Sequence, residues 1–273
     1  MTAVAPNPFD LVRLSDLRAT PDPDTDPALQ RQIKAVSRTI LTAINRPSIL
    51  PRSYTETREV GRSGVLLAQW PVIRIDAVDL AGTAMRPLVS GPGPIAGATV
   101  DPADEAPPGR PQMLRFSAGA PLGLGFARVT VTYTAGYQVT AEAAVVPQGG
   151  SVATLEPYGA WASDGGVTYA EGGALTRVTS APAAGQYAID GVGGYTFAAV
   201  DAGRQVALTY GYVPADLANA AREWILERQA YAERVGLQSK SLGGQETVSY
   251  RIAAVPDFVA PVLQQYASVV PPC

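Results

Sequence analysis

The chain has 273 residues, 47% of them hydrophobic, with 21 Lys plus Arg against 24 Asp plus Glu for a formal charge of -3. That length and apolar content support a substantial core, read as one domain carrying insertions, and the near-balanced charge excludes the broad basic face that sequence-specific nucleic-acid readers need. Histidine is absent and the only cysteine is Cys273, which excludes a disulfide framework, a cysteine-based metal site and every mechanism built on an imidazole.

Residues 1–9 hold two prolines and no Lys or Arg, unlike a signal peptide, and no run approaches the length of a bilayer-spanning helix. The expectation is a soluble protein, folded inside a cell, with no membrane partner. Ser15 is a candidate cap for a helix of about one turn, interrupted by Pro21, Pro23 and Pro27. The spacing then predicts a long helix over 26–45. Asp26 suits its N-cap, Pro27 its first position, and Leu29, Ile33, Val36, Ile40, Leu41 and Ile44 form its apolar stripe.

The period changes after Pro47. Segments 53–59, 65–67, 72–80, 113–116 and 128–133 are short, rich in Val, Ile, Thr, Leu and Tyr, and separated by glycine or proline, which predicts a β meander over 53–134 with a hairpin tip at 79–82. Residues 91–111 hold six prolines and read as an exposed excursion with little regular structure. From 138 to 204 the composition shifts to Ala, Gly, Thr and Tyr, read as an inserted small β module with strands at 166–169, 175–179, 186–190 and 195–198. Residues 129–137 are echoed weakly by 206–212; such echoes arise easily in Ala/Thr-rich strands.

The clearest periodicity lies in 205–236, a β-like run that feeds a helix predicted over 214–235. Pro214 fits its first position, Asp216 puts a negative charge in its first turn, and Leu217, Ala221, Trp224, Ile225, Arg228, Tyr231 and Val235 share one side, with Gly236 as the stop. A lone helix of this length is marginal in water, so the stripe needs a partner, and the helix at 26–45 is the natural one. Residues 237–247 read as a polar, glycine-containing loop, 248–252 as a possible strand, and 256–270 as a last short helix with Phe258, Val262, Leu263 and Tyr266 on one side. The fold class expected is therefore α+β: a helical pair or bundle of N- and C-terminal helices, with an inserted antiparallel β meander and an additional small β module. The core would be 1–137 plus 205–273, and 138–204 the insertion.

Chemistry is sparse. No phosphate-cradling Gly-Lys-Ser/Thr and no Gly-x-Ser-x-Gly elbow occurs. Gly191 to Tyr195 is glycine-rich but reads as a hairpin tip, and Asp101, Asp104 and Glu105 read as a solvated acidic loop rather than a cation site. No catalytic residue, metal or cofactor is expected. Trp70 and Trp224 read as core, and Trp161, in a glycine-rich stretch, as the one tryptophan left exposed.

In order along the chain, Leu14-Ser-Asp-Leu-Arg18, the helix from Asp26 with Arg46 behind it, Ser53-Tyr-Thr-Glu56, Leu66-Leu-Ala-Gln-Trp-Pro-Val-Ile-Arg-Ile75, 78–82, 129–137 and Val213-Pro-Ala-Asp-Leu217 running on to Tyr231 and Gly236 are similar to the head-to-tail adaptor (connector) proteins of long-tailed bacteriophages and gene transfer agents. The resemblance leaves out mainly 138–204 and the proline-rich loop. It implies a non-enzymatic virion protein at the head–tail junction, in a ring of about a dozen subunits. Its partners would be the portal, a tail or stopper protein and copies of itself, with DNA only as passing cargo. It also implies that the C-terminal arm engages the portal. On that basis Val248, Tyr250, Arg251, Ile252, Phe258 and Tyr266 are the candidate portal-binding residues, and Leu217, Trp224, Ile225, Arg228 and Tyr231 the core or subunit-interface helix; truncation of 248–273 is expected to leave the fold intact. Two other classes stand beside it: a carbohydrate-binding or adhesion β protein of the virion, motivated by the β content, the tyrosines and Trp161, and a carboxylate-dependent hydrolase, for which no acid pair is nominated.

Overall fold

The structure, a computed structural model, describes residues 9–18, 26–60, 64–89, 93–117, 127–232, 239–242, 246–249 and 255–268. The chain opens with a single turn, α1 (Leu14–Leu17), whose N-terminal Arg13 amide is held by the Asp16 carboxylate at 2.9 Å; Ser15, the expected cap, lies inside the turn. Next comes α2 (Asp26–Ala43), whose stripe from Leu29 to Ile44 is buried as its 3.6-residue period demands. It ends as such helices do, with Asn45 at φ 53 and the Arg46 amide reaching back to the Leu41 carbonyl at 3.0 Å.

The first group of strands is β1 (Arg52–Val60), β2 (Val65–Leu66), β3 (Val72–Leu80), β4 (Thr83–Met85), β5 (Ala98–Val100), β6 (Met113–Phe116) and β7 (Ala127–Ala135). They form two sheets, ordered β1-β7-β3-β4 and β2-β6-β5. The central strand β7 alternates in the way a half-covered sheet requires. Val129, Val131, Tyr133 and Ala135 are buried, while Thr130 and Thr132 on the opposite face meet Thr57 and Thr55 of β1 through 3.0 Å hydroxyl contacts. Residues of both sheets and of their connections, among them Leu67, Leu80, Ile95 and Leu114, close one hydrophobic core with that face. Between β3 and β4, Ala81 and Gly82 take φ 52 and 83, a two-residue turn with the Gly82 amide on Asp79, at the tip read from the sequence.

The second group is β8 (Gln138–Val145), β9 (Ser151–Ala153), β10 (Gly159–Tyr169), β11 (Thr176–Arg177), β12 (Gln186–Ile189), β13 (Gly194–Phe197) and, after a 3-10 turn at Ala199–Asp201, β14 (Gln205–Pro214). Here β14 is central, in the order β10-β14-β8, and a further sheet runs β11-β12-β13-β9. Without any loop β14 passes into α3 (Ala215–Ala232); Pro214 is thus the last strand residue. A hairpin of β15 (Ser239–Leu242) and β16 (Glu246–Ser249) follows, and α4 (Ala260–Tyr266) closes the described chain.

Sixteen strands in five sheets against four α-helices make the described residues mostly β, which overturns the expected helical pair with β insertions. The helices do meet: Gln229 of α3 donates to Gln32 of α2 at 3.3 Å. They do not form a bundle of their own, because the apolar faces of α2, α3 and α4 are buried in one core together with Trp161, Tyr187, Tyr195, Phe197, Leu208 and Tyr210 of the second group of strands. Periodicity locates a stripe but not the element that covers it, and here strands cover much of it. The molecule has two cores, one between β sheets and one between β sheets and helices. None of its described helices is long and apolar enough to cross a membrane.

Candidate functional site

Segments from far apart in the chain are tied together around α2 and α3. Arg13 donates to the Trp161 carbonyl and lies 3.8 Å from Glu156, tying α1 to the second group of strands, and Arg222 of α3 donates to the Asp16 carbonyl at 3.1 Å. After α4 the Ser268 amide donates to the Ile44 carbonyl at 2.8 Å and its hydroxyl to the Ala68 carbonyl at 3.0 Å. The C-terminal helix thereby clamps the end of α2 to the first group of strands.

Leu217, Trp224 and Ile225 are buried in that core, and Arg228 lies on the exposed side with its guanidinium 5.5 Å from the Trp224 ring centre. The side chain of Tyr231, and Val235 and Gly236, fall outside the described residues. Of the candidate portal-binding residues, Tyr250, Arg251 and Ile252 likewise fall outside, Val248 is described only as backbone in β16, Phe258 is 47% exposed, and Tyr266 is fully buried. The Tyr266 hydroxyl donates to Asp216 at 2.5 Å; burial first, and then that hydrogen bond, push its pKa above the ordinary tyrosine value. Because Val259, Leu263 and Tyr266 are core, truncation of 248–273 removes part of the fold as well as the arm, against the expectation stated for it.

Trp161 is also corrected. It is 2% exposed, sits in β10, and gives its indole N–H to the Tyr195 hydroxyl at 3.0 Å; Tyr195 and Tyr187 both donate in turn to the Asp164 carboxylate. The sugar-stacking side chain that motivated an adhesion protein is therefore structural. In the acidic loop Asp101 is gripped by Arg115 at 2.7 and 3.0 Å, which holds its carboxyl below the usual range, and Asp104 pairs with Arg110 at 3.4 Å. The tip at 190–194 is a turn organised by Asp190, which accepts from the Val192 and Gly194 amides at 2.7 and 2.9 Å. Among the described residues no group of three His, Cys, Asp or Glu side chains is placed to hold a metal ion.

The chain matches no protein-family model and no curated protein.

Two features escaped the sequence reading. One is a seam between the cores: Arg46, 2% exposed, lies with its guanidinium 4.7 Å from the Trp70 ring centre and 5.3 Å from that of Tyr137, and donates to the Trp70 carbonyl and the Tyr137 hydroxyl. The rings of Tyr158, Tyr212, Tyr137 and Tyr266 continue it as a chain with centroids 5.8 to 5.9 Å apart. Apart from Tyr266, which shares the stripe of the last helix, no periodicity announces these residues, since they stand near or just outside the ends of their elements. The other is the hairpin. Residues 237–247 read as loop, yet Gly243 and Gly244 between two four-residue strands were a usable hairpin signal. Among the described strands β15 and β16 pair only with each other, in register from Ser239↔Ser249 to Leu242↔Glu246.

Proposed function

We propose that the protein is a non-enzymatic structural subunit of a virion head–tail junction, in which copies close into a ring of about a dozen that docks beneath the portal, continues the DNA channel and presents a surface to a tail or stopper protein. The observation that carries this reading is the hairpin β15–β16. An isolated two-stranded ribbon is marginal in water and presents unpaired edges, so a hairpin that no other described strand adopts is suited to receive or supply a strand across a protein interface. It stands between α3 and α4, the two elements that bracket the arm implied to reach the portal.

Two further facts support the reading. The segments at 14–18, 26–46, 213–217 and 256–268, scattered along the chain, meet in a single core, as a shared subunit body requires. A formal charge of -3 also suits a conduit, because a strongly basic lumen would retain DNA that has to slide.

The test mixes the full-length protein with a portal ring and follows mass and negative-stain images. A closed ring stacked on the portal is the expected result; protein that remains monomeric and unattached over the concentration range of assembly overturns the reading. A variant in which 237–251 are replaced by a Gly/Ser linker of equal length keeps α4 and its core contacts. It should fold and fail to dock, and docking at full strength would remove the hairpin from the interface.

A further inference from the structure

Where the two groups of strands meet, a cavity of about 250 Å³ opens between β3, the β7–β8 joint, β14 and the proline-rich loop. Its walls are Tyr137, Tyr158 and Tyr212, its polar rim Gln138 and Thr140, and its carboxylates Asp104 and Glu105; no basic side chain lines it, and Arg46, beyond Tyr137, is not part of it. We infer that this cavity is a docking pocket for an arginine side chain of a protein partner, and this does not rest on the ring reading.

The hydroxyl of Tyr212 carries the inference. Seven tyrosines are buried, and six of them give their hydroxyl to an acceptor: Tyr133 to Glu56, Tyr137 to the Pro108 carbonyl, Tyr187 and Tyr195 to Asp164, Tyr210 to Glu142 and Tyr266 to Asp216. Tyr212, 5% exposed and lining the cavity, has no hydrogen-bond partner for its hydroxyl among the described residues, and that oxygen is not sealed from solvent. A phenol that no protein group satisfies is left to water or to a ligand group that displaces that water. The cavity is the place from which that partner comes.

Size, charge and shape select the partner. At about 250 Å³ the space falls below the range of roughly 300–1,000 Å³ usual for small-molecule sites, and suits one long side chain. Asp104 is already engaged by Arg110, while Glu105 has no ion-pair partner among the described residues, so the rim holds an uncompensated negative charge. The rings of Tyr158 and Tyr212, packed on each other at 5.8 Å and 34°, give the lining an aromatic surface that suits a flat cation. A guanidinium meets all three demands, with a plane for the rings, a positive charge for Glu105 and several N–H donors for the Tyr212 oxygen. A compact ammonium meets fewer.

The test is titration of the isotopically labelled full chain with a short acetylated, amidated Gly-Arg-Gly peptide, read on the backbone amides of Gly109, Gly136 and Thr140, with the neutral citrulline peptide and the lysine peptide beside it. Saturable shifts at these amides with the arginine peptide, absent with citrulline and weaker with lysine, are expected. Glu105→Gln, on the exposed rim, should weaken binding by about tenfold, the scale of one charge-assisted hydrogen bond. Tyr212→Phe should weaken it as well while leaving the unfolding midpoint unchanged, because that hydroxyl has no internal partner to lose. Equal shifts with citrulline, no shifts at saturating arginine peptide, or full affinity in Glu105→Gln would each overturn the assignment.

Discussion

Tyrosine hydroxyls do unequal work in this protein, and the inequality can be measured. Tyr133 lies at one extreme: its hydroxyl donates to the buried Glu56 carboxylate and accepts from the Gln69 amide at 3.1 Å, while the same carboxylate also holds the Ala68 amide at 3.1 Å and the Arg58 guanidinium at 2.9 Å. Tyr133→Phe leaves a buried carboxylate and a buried amide each short of a bond, and should cost about 2–3 kcal/mol. Tyr266→Phe removes one bond to Asp216, whose carboxylate stands at the surface where water replaces the donor, and should cost about 1 kcal/mol. Tyr212→Phe should fall within about 0.5 kcal/mol of the parent. Urea unfolding of the three variants checks the order, and a Tyr212→Phe loss as large as that of Tyr133→Phe would mean the hydroxyl has a partner inside the fold.

At the scale of the element, the decisive positions are those where backbones approach. A Cβ on Gly136, at the β7–β8 joint, would stand 2.5 Å from the Pro51 nitrogen and against the Leu50 carbonyl, at a φ of +143, so Gly136→Ala should destabilise by about 1–3 kcal/mol or more as backbone on both sides shifts. Ile40→Ala in the buried stripe of α2 should cost about 2–5 kcal/mol, whereas Leu226→Ala on the outer side of α3, 38% exposed, should cost little; thermal or urea midpoints decide both. The same distinction explains what was legible in the sequence. The stripe of α2, the alternation of β7 and the Ala81-Gly82 turn are local patterns, and all could be read. Strand β10 is legible only from Gly166 on, because the glycines before it imitate a loop: Gly165 sits at a register shift against β14, and a Cβ on it would stand 2.9 Å from the Thr209 carbonyl oxygen, so this bulged edge strand needs it. With residues 159–165 read as loop, Trp161 is expected in solvent. Strand β8 was missed because it is alanine-rich and buries neither face strongly. The covering of helices by strands is a tertiary fact that no window of sequence contains, which is why α2 and α3 read as partners for each other alone. The stretch after α3 was legible as an extended segment and not as a hairpin, and the tyrosine-lined cavity was not legible at all, since its lining comes from five separated segments.

For the whole molecule the absence of histidine and the abundance of buried phenols set the pH dependence of stability. With no imidazole in the chain, no side chain of that ordinary pKa changes charge between about pH 6 and 8, and stability should be flat there. On the alkaline side Tyr133, Tyr187, Tyr195, Tyr210, Tyr212 and Tyr266 all have pKa values raised above the ordinary 10.0, in every case chiefly because burial disfavours the phenolate, with carboxylate acceptors adding to it at Tyr133, Tyr187, Tyr195, Tyr210 and Tyr266. A group whose folded pKa is raised contributes fully below its unfolded pKa and loses that contribution as pH climbs towards the folded one. The unfolded chain therefore gives up protons above pH 10 that the folded chain retains. Each such group tilts the balance towards unfolding by about 1.4 kcal/mol per pH unit, so several acting together exhaust a stability on the order of 5–15 kcal/mol within one or two units. The urea midpoint should accordingly hold steady to about pH 9 and collapse above pH 10. Tyrosinate absorbance from the buried phenols should appear in the same step as the loss of far-ultraviolet ellipticity; ionisation of most of the tyrosines in a still-folded protein would show that these side chains reach solvent, and the two-core packing described for them would then be wrong.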